Sequence, residues 1–213
     1  MFIFDAGRIT TTPMALAEVA SEHPDRPFIV ADDGALSYRE AAQLCADVAA
    51  GLAALGLAPG ERIGILLPNG LRWCATLLGA HAAGLCVVPL NTWYRRDELA
   101  GVARRAHLRT IVTQSEIFGF PTSAVVDDLD VDGYLGPVWW PAEQRLPSVL
   151  SRTDGPVDAV AALLASPARP DTDALVLFTS GSSAAPKAVR LTQRGLTGNA
   201  HAIGVRQGAR GGD

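Results

Sequence analysis

Residues 178–189, "FTSGSSAAPKAV", bring four hydroxyls (Thr179, Ser180, Ser182 and Ser183), Gly181 and Lys187 into one short stretch between apolar flanks. Lys187 is the sole lysine of the chain, whose 18 basic residues are otherwise all arginine. Lysine carries a compact, mobile ammonium where arginine carries a planar fork, so the exchange at this position has chemical content. A loop of this composition can turn backbone amides, hydroxyls and one ammonium toward a single anion. Phosphate is the anion such a concavity suits.

Two other readings compete. A Walker A loop, G-x-x-x-x-G-K-[ST], aligned on Gly181 and Lys187 would put Pro186 at its second glycine and Ala188 at its hydroxyl position, so that pattern fails. An ordinary polar hairpin turn, which Ser, Gly and Pro favour without any ligand, stays open on composition alone.

Elsewhere the chemistry-bearing types are scattered. His23, His81, His107 and His201 have no partnered acid or base in sequence, and structural or surface roles are expected of them. Asp127, Asp128, Asp130 and Asp132 do not follow the spacing of a calcium loop, and a solvated loop is expected. Cys45, Cys74 and Cys86 are odd in number and form no C-x-x-C pair. Free thiols in a reducing, cytoplasmic setting are therefore expected, and no metal site.

The elements that would position the loop are legible from periodicity. With 48% apolar and 19% charged residues, 213 residues make a globular chain of one large or two small domains. A net charge of −4 without a basic run leaves no electrostatic footprint for nucleic acid. Asp5 interrupts the apolar start and no basic n-region precedes it, so no signal peptide is expected. Residues 73–94 lack Asp, Glu, Lys and Arg, but Gly84 and Pro89 divide them into a helix and a buried strand rather than a membrane span.

Ser37 and Glu40 form a capping-box pattern, and Leu44, Val48, Leu52 and Leu55 line one face of the helix that follows, with Gly56 as its stop. "RIGILLP", "LCVVPL" and "RTIVT" are strand-like runs separated by helical stretches at about 71–83 and in "RRDELAGVARRAH". That alternation predicts crossovers and a largely parallel sheet flanked by helices, an α/β fold. "ALVLF" and "AVRLT" are further strands around the hydroxyl-rich stretch. "AVV" at 124–126 is a candidate strand, residues 127–172 are expected to be irregular or linker-like, and Trp139 and Trp140 are placed at a core edge. "VDAVAALLA" is a short helix, and a helix over about 192–205 carries an apolar stripe of Leu196, Ala200 and Ile203.

Taken together, "FTSGSSAAPKAVRLTQ" resembles the phosphate-binding signature of the adenylate-forming enzymes: acyl-CoA synthetases, peptide-synthetase adenylation domains and luciferases. That pattern is aromatic-T-S-G-[ST]-[ST]-G-x-P-K-G-V followed by Leu-Thr-His; Ala184 and Ala188 replace its glycines and Gln193 its histidine. "ALSYREAAQLCADVAAGLAALGLAPGERIGILLPNG" and "LLGAHAAGLCVVPLNTWYRRDEL" resemble the family's two preceding elements in order. The Pro-Leu-Asn-Thr form leans toward acyl-CoA synthetases.

The resemblance implies that residues 10–213 are an incomplete N-terminal adenylation domain, with the C-terminal domain lying beyond them. It implies a reaction in which a carboxylic acid and ATP give acyl-AMP and pyrophosphate, and the acyl group then passes to CoA. Thr179, Ser180, Gly181, Ser182, Ser183 and Lys187 would hold the ATP phosphates, while the Mg2+ ligands and the catalytic lysine would lie outside this stretch. One expectation is an enzyme part that is inactive alone, either a truncated product or one half of a split protein with a separately encoded C-terminal half. The other is a relic or interaction module that keeps the fold without using nucleotide.

Overall fold

The computed structural model describes residues 9–140, 158–179 and 187–208. Its elements in order are α1 (Thr12–Glu22), β1 (Pro27–Ala31), β2 (Gly34–Ser37), α2 (Tyr38–Ala54), β3 (Arg62–Leu66), α3 (Leu71–Ala82), β4 (Cys86–Pro89), α4 (Arg96–Ala106), β5 (Leu108–Gln114), β6 (Glu116–Ile117), β7 (Phe120–Pro121), α5 (Ser123–Val126), β8 (Pro137–Trp140), α6 (Ala159–Leu164), β9 (Asp173–Thr179), β10 (Lys187–Thr192) and α7 (Gln193–Gln207).

Six strands form one sheet in the order β10-β9-β4-β3-β5-β8. All pairings are parallel except the β9–β10 hairpin at one edge. The four segments expected to share a sheet do so. β3 lies at its centre, and the chain steps from β3 through α3 to β4 on one side, then through α4 to β5 on the other.

Successive strand residues point to opposite faces, and the sequence fills both with apolar groups, as a doubly covered parallel sheet requires. Ile63, Ile65, Val87 and Val112 join a core with α1, α2, α3 and α6. Cys86, Val88, Ile111 and Val176 join a second core with α4 and α5. The result is three layers.

Local signals place the helices as expected. Ser37 Oγ accepts from the Glu40 backbone N–H at 3.3 Å while Glu40 Oε2 accepts from the Ser37 N–H at 2.9 Å, a complete capping box. Leu44, Val48 and Leu52 of α2 are buried against α3 and the sheet. The two helices approach closely at Gly79, where an added Cβ would lie 2.5 Å from the Val48 side chain.

Two expectations need correction. "AVV" is not a strand: residues 123–126 form the single turn α5, preceded by Thr122, whose hydroxyl donates to the Gln114 carbonyl. Three apolar residues carry too little periodicity to separate a turn of helix from a strand. Residues 127–172 are not simply irregular. Their described part contains β8, an unexpected strand that extends the sheet beside β5; α6 is the short helix expected there, and Trp140, placed at a core edge, is 1% exposed with its indole N–H donating to Thr76 Oγ1 at 3.1 Å. α1, the β1–β2 hairpin and the β6–β7 hairpin are elements beyond those expected from periodicity.

Candidate functional site

The hydroxyl-rich stretch joins β9 to β10. Antiparallel pairing runs from Leu175↔Leu191 to Thr179↔Lys187, so Thr179 and Lys187 stand directly opposite one another. Directly opposed residues project from the same face of a hairpin, which puts the Thr179 hydroxyl and the Lys187 ammonium stem side by side at the mouth of the connection. Thr179 Oγ1 donates to the Lys187 carbonyl at 3.4 Å, and both residues are exposed. Ser180, Gly181, Ser182 and Ser183 lie outside the described residues, as does Ala184.

Ala188, which replaces a glycine of the family pattern, sits in regular strand opposite Phe178 and is not among the residues with positive φ. Its side chain therefore costs the backbone nothing.

Because β9 runs parallel to β4, Thr179 emerges at the sheet edge where β3, β4 and β5 also end. Open α/β sheets bind ligands outside this carboxyl edge. Phe178, the residue before the loop, is covered from the second face by Arg105 of α4, whose guanidinium carbon lies 5.6 Å from the ring centroid. At the end of β5, Gln114 Oε1 accepts from Arg72 Nη1 at 3.2 Å.

The N-terminus of α3, at the same edge, is already occupied by an internal anion. Asp33 Oδ1 and Oδ2 accept from the Leu71 N–H at 3.1 and 3.0 Å. Gly70 is required there: its φ is +156°, and an added Cβ would meet the Asp33 carboxylate at 2.7 Å. Helix-dipole binding of an external phosphate is thereby pre-empted at α3.

Behind the hairpin lies a buried polar cluster. His81 of α3 is fully buried, and its Nε2 donates to the Ala174 carbonyl of β9 at 3.0 Å. Its Nδ1 lies 2.8 Å from Thr12 Oγ1 of α1. Gln193, 1% exposed at the start of α7, accepts on Oε1 from the Thr12 N–H at 3.0 Å. Burial lowers the His81 imidazole pKa to about 4, partly offset by the Ala174 carbonyl.

α7 follows with Thr192 as N-cap, accepting from the Gly195 N–H at 3.1 Å, and Gly208 in the left-handed conformation at its end. Of the expected stripe, Leu196 is half-buried while Ala200 and Ile203 are exposed. The helix is anchored instead by polar Gln193 and Thr197.

Of the predicted site residues, then, the structure brings Thr179 and Lys187 together. Sequence reasoning missed Thr12 and treated Gln193 only as a departure from a pattern. A possible signal was His81, the one ionisable imidazole inside the uncharged run 73–94. His23 lies 3.9 Å from Glu22, and His107 occupies the left-handed C-cap of α4. Cys45 and Cys86 are buried, Cys74 is half-buried, and all three are free. Burial and Asp173 push the Cys86 thiol up to about 11, against the lowering effect of Arg62.

Among the described residues no three His, Cys, Asp or Glu side chains come together as metal ligands. Nor is any helix among them long and apolar enough to cross a membrane.

Comparison with known proteins places these features in a wider set. The profile of the family described as AMP-binding enzyme matches residues 16–213. Sulfoacetate–CoA ligase of Cupriavidus necator is 32% identical over 198 residues, which cover 89% of this chain and 36% of that enzyme. Phosphinothricin tripeptide synthetase PhsC of Streptomyces viridochromogenes is 28% identical over 186 residues, covering 85% of this chain and 15% of the synthetase. In three dimensions the chain superposes on VinN in its complex with 3-methylaspartate with a TM-score of 0.72 at 25% identity, over 94% of this chain and 52% of VinN. The chain thus spans little more than a third of the CoA ligase it matches.

Proposed function

Since the chain belongs to the AMP-binding enzyme family, we propose that the β9–β10 connection is the ATP phosphate-binding loop of an acyl-CoA synthetase. In this reading Thr179, Ser180, Gly181, Ser182, Ser183 and Lys187 cradle the phosphates. The enzyme of which they form part joins a carboxylic acid to ATP, releases pyrophosphate, and transfers the acyl group from acyl-AMP to the thiol of CoA.

One observation carries the reading: Thr179 and Lys187, the residues that flank the hydroxyl-rich stretch, face each other at the carboxyl edge of the sheet. Donors gathered there act by positioning and by charge stabilisation, as phosphoryl and nucleotidyl chemistry requires. Lys187 supplies a point charge opposite the leaving pyrophosphate, while the hydroxyls fix its oxygens. The described residues offer no ligand set of their own for Mg2+, so the cation enters this reading only as part of Mg–ATP, and no step rests on it. Residues 10–213 are read as part of an N-terminal adenylation domain. Three free thiols, two of them buried, fit a reducing compartment such as the cytoplasm.

Phosphate contacts alone are screened by water and salt. Residues 1–213 by themselves are therefore proposed to bind ATP at millimolar affinity or weaker, on the order of 4 kcal/mol, and to form no acyl-AMP without further adenylation-domain residues. The competing reading, a module that keeps the fold without nucleotide use, draws on Ala184 and Gln193 standing where the pattern has glycine and histidine.

Calorimetry with Mg–ATP, beside pyrophosphate exchange over a panel of carboxylic acids, separates the two. Weak binding abolished by Lys187→Ala supports the phosphate loop. Binding unchanged by Lys187→Ala overturns it. Acid-dependent exchange by this chain would overturn the proposal that it is inactive alone.

A further inference from the structure

The polar cluster under α7 contains more close polar contacts than it has hydrogens to fill. Four contacts connect it: His81 Nε2 to the Ala174 carbonyl at 3.0 Å, His81 Nδ1 to Thr12 Oγ1 at 2.8 Å, Thr12 Oγ1 to Gln193 Oε1 at 3.1 Å, and the Thr12 N–H to Gln193 Oε1 at 3.0 Å. Two of these fix the arrangement. The Ala174 carbonyl can only accept, so Nε2 carries its hydrogen. The Thr12 amide can only donate, so Gln193 presents its oxygen rather than its NH2.

With a neutral ring, Nδ1 is then an acceptor, and the single Thr12 hydroxyl hydrogen has two acceptors within reach. It satisfies one and leaves the other facing a lone pair. One added proton removes the conflict: Nδ1–H donates to Thr12 Oγ1, and the hydroxyl hydrogen turns to Gln193 Oε1. All four contacts then become hydrogen bonds without moving a heavy atom.

We propose that Thr12, His81 and Gln193 form a buried proton-binding relay, in which a proton taken from solvent onto His81 Nδ1 is registered at Gln193 as a second hydrogen bond holding the root of α7. The relay ties four elements, α1, α3, β9 and α7, at the base of the hairpin that bears the candidate loop, and it stands whether or not that loop binds phosphate. Burial and the Ala174 carbonyl are what move the ring's titration. Of the neighbouring charges, Asp173 beside Ala174 is held by Arg190 at 2.8 Å, and Arg194 beside Gln193 pairs with Asp171 at 3.3 Å. Through the Thr12 hydroxyl, the far end of the relay, Gln193, is where a change of side chain would reach the proton.

Nitrogen-detected NMR of the imidazole in the full chain tests this. Near neutral pH the ring is expected as the Nε2–H tautomer. Gln193→Glu, which presents a carboxylate oxygen to the same two donors, is expected to raise the His81 midpoint by at least about one pH unit, a tenfold gain in proton affinity. Adding Thr12→Val is expected to cut that gain markedly, because the hydroxyl link is gone and only the through-space attraction of the carboxylate is left, and Thr12→Ser in its place to retain it in full. Backbone amides at 193–197 should gain hydrogen-exchange protection, after correction for intrinsic rate, with the midpoint of His81. An Nδ1–H tautomer at neutral pH would overturn the relay. So would an unchanged midpoint in Gln193→Glu, or a rise that Thr12→Val leaves undiminished.

Discussion

Acid should destabilise this fold through one residue in a calculable window. His81 is buried among α1, α3 and β9 with a neutral ring, and its folded-state pKa is lowered from 6.5 to about 4. As pH falls, the unfolded chain protonates this imidazole first, so the unfolded state binds more protons across the window and stability declines. The contribution is fully present above about pH 6.5, is lost progressively, and levels off below about pH 4. A displacement of about 2.5 units at 1.36 kcal/mol per unit amounts to roughly 3 kcal/mol, of which about 2 kcal/mol is gone by about pH 5.

For a domain of ordinary stability that is a large fraction of the total. Urea unfolding of the wild-type chain and of His81→Gln at several pH values between about 7 and 4 isolates the residue, since glutamine does not titrate. The wild type should start out more stable, and the difference should shrink by on the order of 2–3 kcal/mol across the window. If both proteins lose stability in parallel, His81 is not neutral in the folded state and the argument from burial fails.

Two further outcomes follow from packing and backbone geometry. Gly79→Ala should cost about 1–3 kcal/mol in chemical denaturation, because the new methyl would fall 2.5 Å from the Val48 side chain at the α2–α3 crossing; a neutral effect would mean that the helices part easily there. Phe118→Asn should stabilise the chain by about 1 kcal/mol in thermal unfolding, since Phe118 holds a left-handed φ of 51° in the β6–β7 turn while 60% exposed. Destabilisation would show that its stacking on Trp93, with ring centroids 5.8 Å apart, outweighs the backbone strain.

By itself the sequence determined the layered sheet and the location of its candidate site. Continuous apolar runs such as "RIGILLP" and "LCVVPL" can be satisfied only where both faces of a strand are covered, and helices of the right period lie between them. Ser37, Glu40 and Gly56 marked the limits of α2 because caps and left-handed stops are local properties of the backbone. Thr179 and Lys187 were singled out by residue type and by the resemblance of their stretch to a phosphate-binding signature. What tertiary structure decided was everything that depends on distant partners. α1 is held by contacts with α6 and α2, β8 becomes a strand only by pairing with β5, and "AVV" lacks the length for any intrinsic preference to prevail. Most of all, Thr12, His81 and Gln193 lie up to 181 positions apart, and none has a neighbour in its own stretch of chain that names the other two. A buried hydrogen-bond network is a property of how elements pack, and no local pattern encodes the partner that a burial will later require.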